Sequence, residues 1–281
     1  MKKLLVIGKG FLGTSISNIA KINKFEIFEA SQKSGIIIDI RKSNSVEEVI
    51  TKINPDIIMN CAASTDLDRI ENDPKNAFDV NACGSQIISK ISKKYSKRLI
   101  HISTDSVFDG IKGYYKENDM PNPINQYSRS KLEGEKLILN DHSDAVIVRT
   151  NFYGYSDDKK FLFNWILKKI RNNESINAFD DIVFNPLEIN NLSKLLLELS
   201  LNDFKGVLHL TGNEIFSKYE FVKKIAHFLN YDEKLVIKGN SEHMNFIAKR
   251  PKNTSLDNSL ARKILKTEFQ TLEEWLTKKY K

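Results

Sequence analysis

The chain of 281 residues has only two cysteines, Cys61 and Cys83, set far apart and outside any paired-cysteine spacing. This leaves no basis for a disulfide framework or a thiolate zinc site and fits a reducing, cytoplasmic setting. The five histidines, His101, His142, His209, His227 and His243, are dispersed, so no local metal-ligand motif exists and no metal is expected. Long apolar runs are missing as well: nothing approaches the roughly 18 residues of a membrane span. The opening Met-Lys-Lys-Leu-Leu-Val-Ile stops at Gly8, short of the roughly 7–15 apolar residues of a signal-peptide core. The net charge is +7, but 43 basic residues are scattered among 36 acidic ones. No basic stripe with interleaved aromatics occurs, which argues against nucleic acid as a partner. There is no internal repeat and no low-complexity linker.

What is present is a 41% hydrophobic fraction, enough for a real core. Leu4 to Ile7, Phe25 to Glu29, Ile36 to Ile38, Ile57 to Asn60, Leu99 to Ser103 and Ala145 to Val148 read as short buried strands. Between them, Phe11 to Ile22, Val46 to Ile53, Pro74 to Tyr95 and Gln126 to Leu139 read as helices. This alternation predicts an α/β fold with a doubly wound parallel sheet, Rossmann-like, over residues 1–150. After Arg149 the pattern changes. A helix is expected from Lys160 to Arg171, a strand over Ile182 to Leu187, a leucine-rich helix over Leu192 to Leu201 and a strand from Gly206 to Leu210. Capping boxes at Ser217–Glu220 and Thr271–Glu274 open two more helices. Residues 151–281 are therefore expected to be mainly a smaller, partly interleaved α/β substrate domain, with 183–213 returning to the first.

Gly8-Lys9-Gly10-Phe11-Leu12-Gly13 follows a strand and opens a helix, the context a GxGxxG needs to bind a dinucleotide. Glycines permit the tight turn and bring backbone N–H groups to a pyrophosphate at the helix N-terminus. The acidic residue expected about 20 positions on is Glu29. A carboxylate there either binds the adenosine ribose and leans the choice toward NADH, or is only a strand-end charge. Ser31 and Lys33 leave room for a phosphate, so NADPH or NADH is the expected cofactor.

His101-Ile-Ser-Thr-Asp105 ends a strand where open α/β sheets bind ligands. It brings Ser103, Thr104 and Asp105 to the expected substrate side. Downstream, Pro121 and Pro123 keep the chain extended before Tyr127, and Lys131 follows four residues later, on the same helical face. A lone YxxxK decides nothing, since a solvated helix face carries the same spacing. With the glycine loop and the strand-end hydroxyls, however, the set suits reduction of a carbonyl: Tyr127 as proton donor, Thr104 hydrogen-bonding the oxygen, and Lys131 lowering the tyrosine pKa.

The residues from Gly10 to Gly13, Asp39-Ile40, Pro55 to Glu71, Val80-Asn81, Ile102 to Gly110, Tyr127 to Lys136, Arg149-Thr150, Gly206 to Gly212, Arg250-Pro251 and Leu256-Asp257 together resemble the extended short-chain dehydrogenase/reductases. Within them they are similar to the branch of the dTDP-4-dehydrorhamnose reductases. The resemblance implies that Thr104, Tyr127 and Lys131 are catalytic, and that Asp39, Ile40, Ala62, Ala63 and Thr65 contact the cofactor together with Tyr127 and Lys131. It implies an NAD(P)H-dependent reductase of a nucleotide-linked keto-sugar in deoxysugar or polysaccharide biosynthesis. Asn151, Phe152 and Arg250 are expected at the substrate, with Lys249 and Lys252 as further cations for its diphosphate. Asn81 is expected to tie helix to strand. The chain departs from the branch at Ile7, where a first glycine is usual, at Ser106, where an aromatic is common, and in Asn151-Phe-Tyr-Gly154. The rival readings are a nucleotide-sugar epimerase or dehydratase with retained NAD, and a non-catalytic dinucleotide-binding regulatory subunit. A homodimer is compatible with the sequence.

Overall fold

The structure is a computed structural model that describes residues 1–23, 25–156 and 161–281. Its centre is a parallel seven-stranded sheet. β1 (Lys3–Ile7), β2 (Glu26–Ser31), β3 (Ile36–Ile37), β4 (Ile57–Asn60), β5 (Arg98–Thr104), β6 (Val146–Thr150) and the strand Gly206–His209 lie in the order Gly206–His209, β6, β5, β4, β1, β2, β3. The order in which successive strands are added reverses between β1 and β4, and a crevice opens there at their carboxyl ends.

Alternation along each strand feeds two separate cores. Leu4, Val6, Ile57, Met59, Ile100, Val146 and Val148 pack on one face with the helix Ile189–Ser200 and with α1 (Phe11–Ile22). Leu5, Ile7, Ile58, Leu99 and Ile147 pack on the other, under α2 (Ser43–Ile53), α5 (Ser85–Lys94) and α6 (Gln126–Asp141). Burial on both faces is why these strands read as near-continuous apolar runs. α1 meets the sheet through Leu12, Ile16 and Ala20, spaced four apart.

Outside the sheet, Tyr153, Phe163, Ile166, Phe184, Phe221, Ile225 and Trp275 build a third core. Around it lie three small strand pairs. Phe152–Tyr153 pairs with Leu187–Glu188, Val183–Phe184 with Phe216–Ser217, and Ile176–Phe179 with Val236–Gly239. The described part of the expected Lys160–Arg171 helix runs over Leu162–Arg171; Lys160 itself lies outside the described residues.

Two expected elements are broken. The helix expected over Pro74 to Tyr95 consists of α4 (Lys75–Phe78), a π-helical turn over Asp79–Gly84, and α5. The wider turn puts Asn81 where its amide bonds Ser64 N–H (2.8 Å), Ser64 C=O (3.0 Å) and Ser130 Oγ (2.9 Å), joining the loop after β4 to α6. The strand expected over Ile182 to Leu187 is split at Asn185-Pro186: proline cannot donate to a ladder, and the Asn185 amide bonds Leu256 and Gly212 instead. Periodicity also missed the helix α3 (Leu67–Asn72), capped by Asp66, and the pair Ile176–Phe179 with Val236–Gly239. No helix among the described residues is long and apolar enough to cross a membrane.

Candidate active site

The glycine loop sits at the reversal point. Gly8 has φ +104°, and a Cβ there would meet Ala62 N at 2.6 Å, so loop and β4 end approach backbone to backbone. A Cβ on Gly13 would stand 1.9 Å from Gly8 O, whereas Gly10 faces open space. These three glycines thus do different things: turn, clearance for a ligand, and helix-to-strand contact. Gly13→Ala is expected to cost about 1–3 kcal/mol, the usual range for overpacking, because backbone must move; thermal unfolding measures it.

A crevice of about 360 Å³ beside the loop is lined by Gly8, Gly10, Ser31, Gln32, Ile40, Arg41, Ala62, Ala63 and Ser64, among others. Its bare backbone, small residues and cation suit a dinucleotide. Leu12 is in the core, and Phe11 packs against the tilted Phe161 ring at 4.3 Å, so their side chains are not presented to this crevice. Two expectations need correction. Glu29 does not line the crevice; its carboxylate lies 3.6 Å from Lys9 Nζ. Asp39 is bound by Arg41 through Nε (2.9 Å) and Nη2 (3.0 Å), and the Arg41 hydrogen bond draws its carboxyl down to about 2. Arg41 rather than a carboxylate faces the crevice, and no motif had singled it out. Thr65 is exposed and lines neither this crevice nor the larger cleft.

α6 starts at an Asn125 cap: the side chain accepts Ser128 N–H at 2.9 Å and donates to Lys249 C=O at 2.9 Å. The cap fixes where Tyr127 emerges. Its phenol lies close enough to the Thr104 hydroxyl for that hydroxyl to favour the phenolate, so β5 and α6 do bring these two together. Lys131 departs from expectation. Its Nζ donates to Ile102 C=O at 2.7 Å and faces His101 Nε2 at 3.2 Å, rather than acting on the phenol. Burial pushes Tyr127 up to about 12, with the Thr104 hydroxyl opposing and Asp105 reinforcing the rise. Burial also pushes the Lys131 ammonium down to about 8, against the pull of Glu135 and Cys61.

A layer of polar groups lies between the sheet and α6. Arg149 Nη2 reaches Glu135 Oε2 at 2.7 Å, with both side chains almost wholly buried (4% and 3% exposed). Ser103 also donates to Glu135. Ser103 is therefore committed to the interior and not to substrate, because strand alternation turns it to the face opposite the cleft.

A cleft of about 760 Å³ opens beyond Thr104, lined by Asp105, Ser106 and Asn151, by Trp165, Phe179 and Phe246, and by Lys169, Lys218 and Arg250. Asp105 is held by Asn151 Nδ2 and Thr254 Oγ1, each at 2.7 Å. Of the three cations expected for a diphosphate only Arg250 lines the cleft: it pairs with Asp68 at 3.0 Å and keeps Nη1 unbonded. Lys252 is taken up by Asp181 and Glu242, and Lys249 is exposed. Phe152 packs on Phe11 at 6.1 Å rather than facing the cleft. Lys218, over the Phe184 ring and pushed down to about 7 by burial, was missed because a capping box explains its segment without it. Among the described residues no group of three or more His, Cys, Asp and Glu is arranged to hold a metal.

The family described as the RmlD substrate binding domain matches residues 1–281. The chain belongs to that family. Agl14 of Haloferax volcanii, a probable low-salt glycan biosynthesis reductase, is 31% identical over 242 residues, spanning 84% of this chain and 81% of the relative. The dTDP-4-dehydrorhamnose reductase of Bacillus anthracis, solved in complex with NADP, superposes with a TM-score of 0.90 at 27% identity, covering 99% of this chain and 98% of that one. The methionine adenosyltransferase 2 subunit beta of Bos taurus is 29% identical over 276 residues, covering 91% and 80%.

Proposed function

We propose that the chain is an NAD(P)H-dependent reductase of a nucleotide-linked keto-sugar, acting at a 4-keto group, in deoxysugar or glycan biosynthesis. The observation that carries this reading is the closeness of the Tyr127 phenol to the Thr104 hydroxyl, next to Asp105 in the wall of an aromatic- and cation-lined cleft. The similarity to a reductase solved with NADP and to a glycan biosynthesis reductase supports it. In our reading residues 1–150, with 183–213, hold the dinucleotide, and the rest of 151–281 holds the sugar nucleotide.

When bound, the reduced nicotinamide supplies a hydride to the sugar carbonyl carbon. Tyr127 gives its proton to the carbonyl oxygen as charge develops there, and Thr104 hydrogen-bonds that oxygen. A phenol held near 12 is protonated, the form an acid needs, throughout the neutral range. In the free protein Asp105, fixed by Asn151 and Thr254, accepts from both the Thr104 and Ser106 hydroxyls, so the Thr104 hydrogen swings from Asp105 to the carbonyl oxygen when substrate is bound. Trp165, Phe179 and Phe246 offer ring faces for a nucleobase, and the Arg250 guanidinium at the cleft wall offers positive charge for the diphosphate.

Arg41 at the crevice favours a 2′-phosphate, so NADPH is the preferred cofactor in this proposal. Arg41→Ala is expected to weaken NADPH binding roughly tenfold, as loss of a hydrogen bond to a charged group does, with NADH affinity nearly unchanged. Fluorescence titration with both dinucleotides reads this out; equal loss for both would contradict it. The similarity to a methionine adenosyltransferase subunit favours a second reading, as a non-catalytic dinucleotide-binding subunit. NADPH oxidation with a dTDP-4-keto-6-deoxy-sugar separates the two: binding of NADPH without turnover on any nucleotide-linked keto-sugar would select the second.

A further inference from the structure

Behind the Tyr127–Thr104 pair lies a polar chain closed to solvent, which the proposed reduction does not use. Asn60, Ser85, His101 and Lys131 are 1%, 0%, 0% and 2% exposed. A backbone N–H can only donate, so the Ala62 N–H at 3.1 Å identifies its partner on Asn60 as Oδ1. The other end of the amide is then the NH2, which donates to Ser85 Oγ at 3.2 Å and to His101 Nδ1 at 3.0 Å. A ring nitrogen that accepts carries no proton, so in the neutral imidazole the hydrogen sits on Nε2.

That Nε2–H faces Lys131 Nζ at 3.2 Å. An ammonium has no lone pair to accept with, and two donors would confront each other in a site without solvent. A neutral amine resolves the conflict: it accepts from Nε2–H and donates to the Ile102 carbonyl at 2.7 Å. The groups around it agree. On β5, burial and then Lys131 hold His101 well below the ordinary imidazole range, so it is uncharged. Beyond β4, burial pushes the Cys61 thiol up to about 12, and on α6 the Tyr127 phenol is likewise neutral. Glu135, one turn on, is the nearby anion, and Arg149 neutralises it. Asp105 acts on Tyr127 rather than on Lys131.

We propose that His101 is a positioning residue that holds Lys131 as a neutral amine in the dinucleotide-free protein at mildly alkaline pH, so that dinucleotide binding there takes up a proton, R–NH2 + H⁺ → R–NH3⁺. The physical reason is that a dinucleotide brings negative charge into the crevice, and an opposite charge nearby favours the ammonium. The tautomer stands on the geometry alone; the coupling rests on the dinucleotide reading above.

Two measurements test the two halves. Long-range proton–nitrogen NMR of the histidine rings, assigned in the wild type through ring-to-backbone correlations, is expected to place the His101 proton on Nε2. In Asn60→Asp a carboxylate accepts from Nδ1–H, so the proton is expected to move to Nδ1 and give Lys131 an acceptor. Calorimetric titration of the protein with NADPH, in buffers of different ionisation enthalpy, reads the proton. For an amine near 8, uptake is expected to be close to zero at about pH 7 and to approach one proton at about pH 9. Lys131→Met and Asn60→Asp are both expected to abolish it. An Nδ1–H ring in the wild type overturns the tautomer, and NADPH binding without proton uptake at the higher pH overturns the coupling. Failure to bind NADPH or NADH at all overturns the dinucleotide reading and the coupling with it, and leaves the NMR result to decide the tautomer.

Discussion

Tyr127→Phe is expected to lower kcat by about 10²–10⁴-fold, the span a positioned general acid contributes, while NADPH affinity and thermal stability stay near wild type. The substitution removes one oxygen and keeps the ring, so the half-buried packing at the start of α6 survives. What is lost is the phenol proton beside the Thr104 hydroxyl. Thr104→Val is expected to do less, because it removes a hydrogen bond to the oxygen and leaves the acid in place. A combined Tyr127→Phe and Thr104→Val variant should lose far less than the product of the two, since groups acting on one oxygen are not additive. Steady-state NADPH oxidation with each variant checks all three. Tyr127→Phe activity within a few-fold of wild type would remove the tyrosine from the mechanism.

Arg149→Leu is expected to destabilise the fold by about 3–5 kcal/mol, the usual result of stranding one member of a buried ion pair. It leaves Glu135 with a buried charge whose remaining partner among the described hydrogen bonds is the Ser103 hydroxyl. Glu135→Leu is expected to cost a similar amount, because it strands Arg149 among the Phe108 ring, at 5.2 Å, and His209. The double variant should be more stable than either single one, since neither charge is then left without its partner. Denaturant unfolding of the four proteins measures the coupling. Additive losses would mean that the pair does not act as a unit. Because Glu135 lies one helical turn beyond Lys131, the pair also clamps α6 to the ends of β5 and β6, and the single variants are expected to lose activity beyond their loss of folded protein.

The sheet was legible because its strands are buried on both faces and bounded by glycine, proline and polar turns; β4 was read to the residue at Ile57–Asn60. α1 was read as accurately, since the glycine loop marks its start. Less visible was what depends on close approach in three dimensions. The π-helical turn at Asp79–Gly84 keeps the helical periodicity of its neighbours and differs only in where Asn81 points. The partial strand at Ile176–Phe179 pairs with residues 60 positions away, at Val236–Gly239, so no local signal announces it. At the candidate site, the closeness of Thr104 and Tyr127 was legible because they stand at a strand end and a helix start. The side chains of Ser103 and Phe152 are one position along the strand from cleft-facing neighbours, and the pleat turns them inward. Glu29 was chosen by spacing alone and does not line the crevice, whereas Arg41, beyond the usual motif, does. Lys131 shows a different kind of failure: the sequence places an ammonium beside a phenol, but a buried carbonyl and a buried imidazole compete for it.

The most direct test of the reductase reading follows the hydrogen itself. NADPH carrying deuterium at the transferred position is incubated with the protein and a dTDP-4-keto-6-deoxy-sugar, and the sugar is analysed by NMR and mass spectrometry. One deuterium at C4 of the product for each NADPH oxidised is the predicted result. A sugar that is unlabelled, or altered with no net oxidation of NADPH, would contradict it.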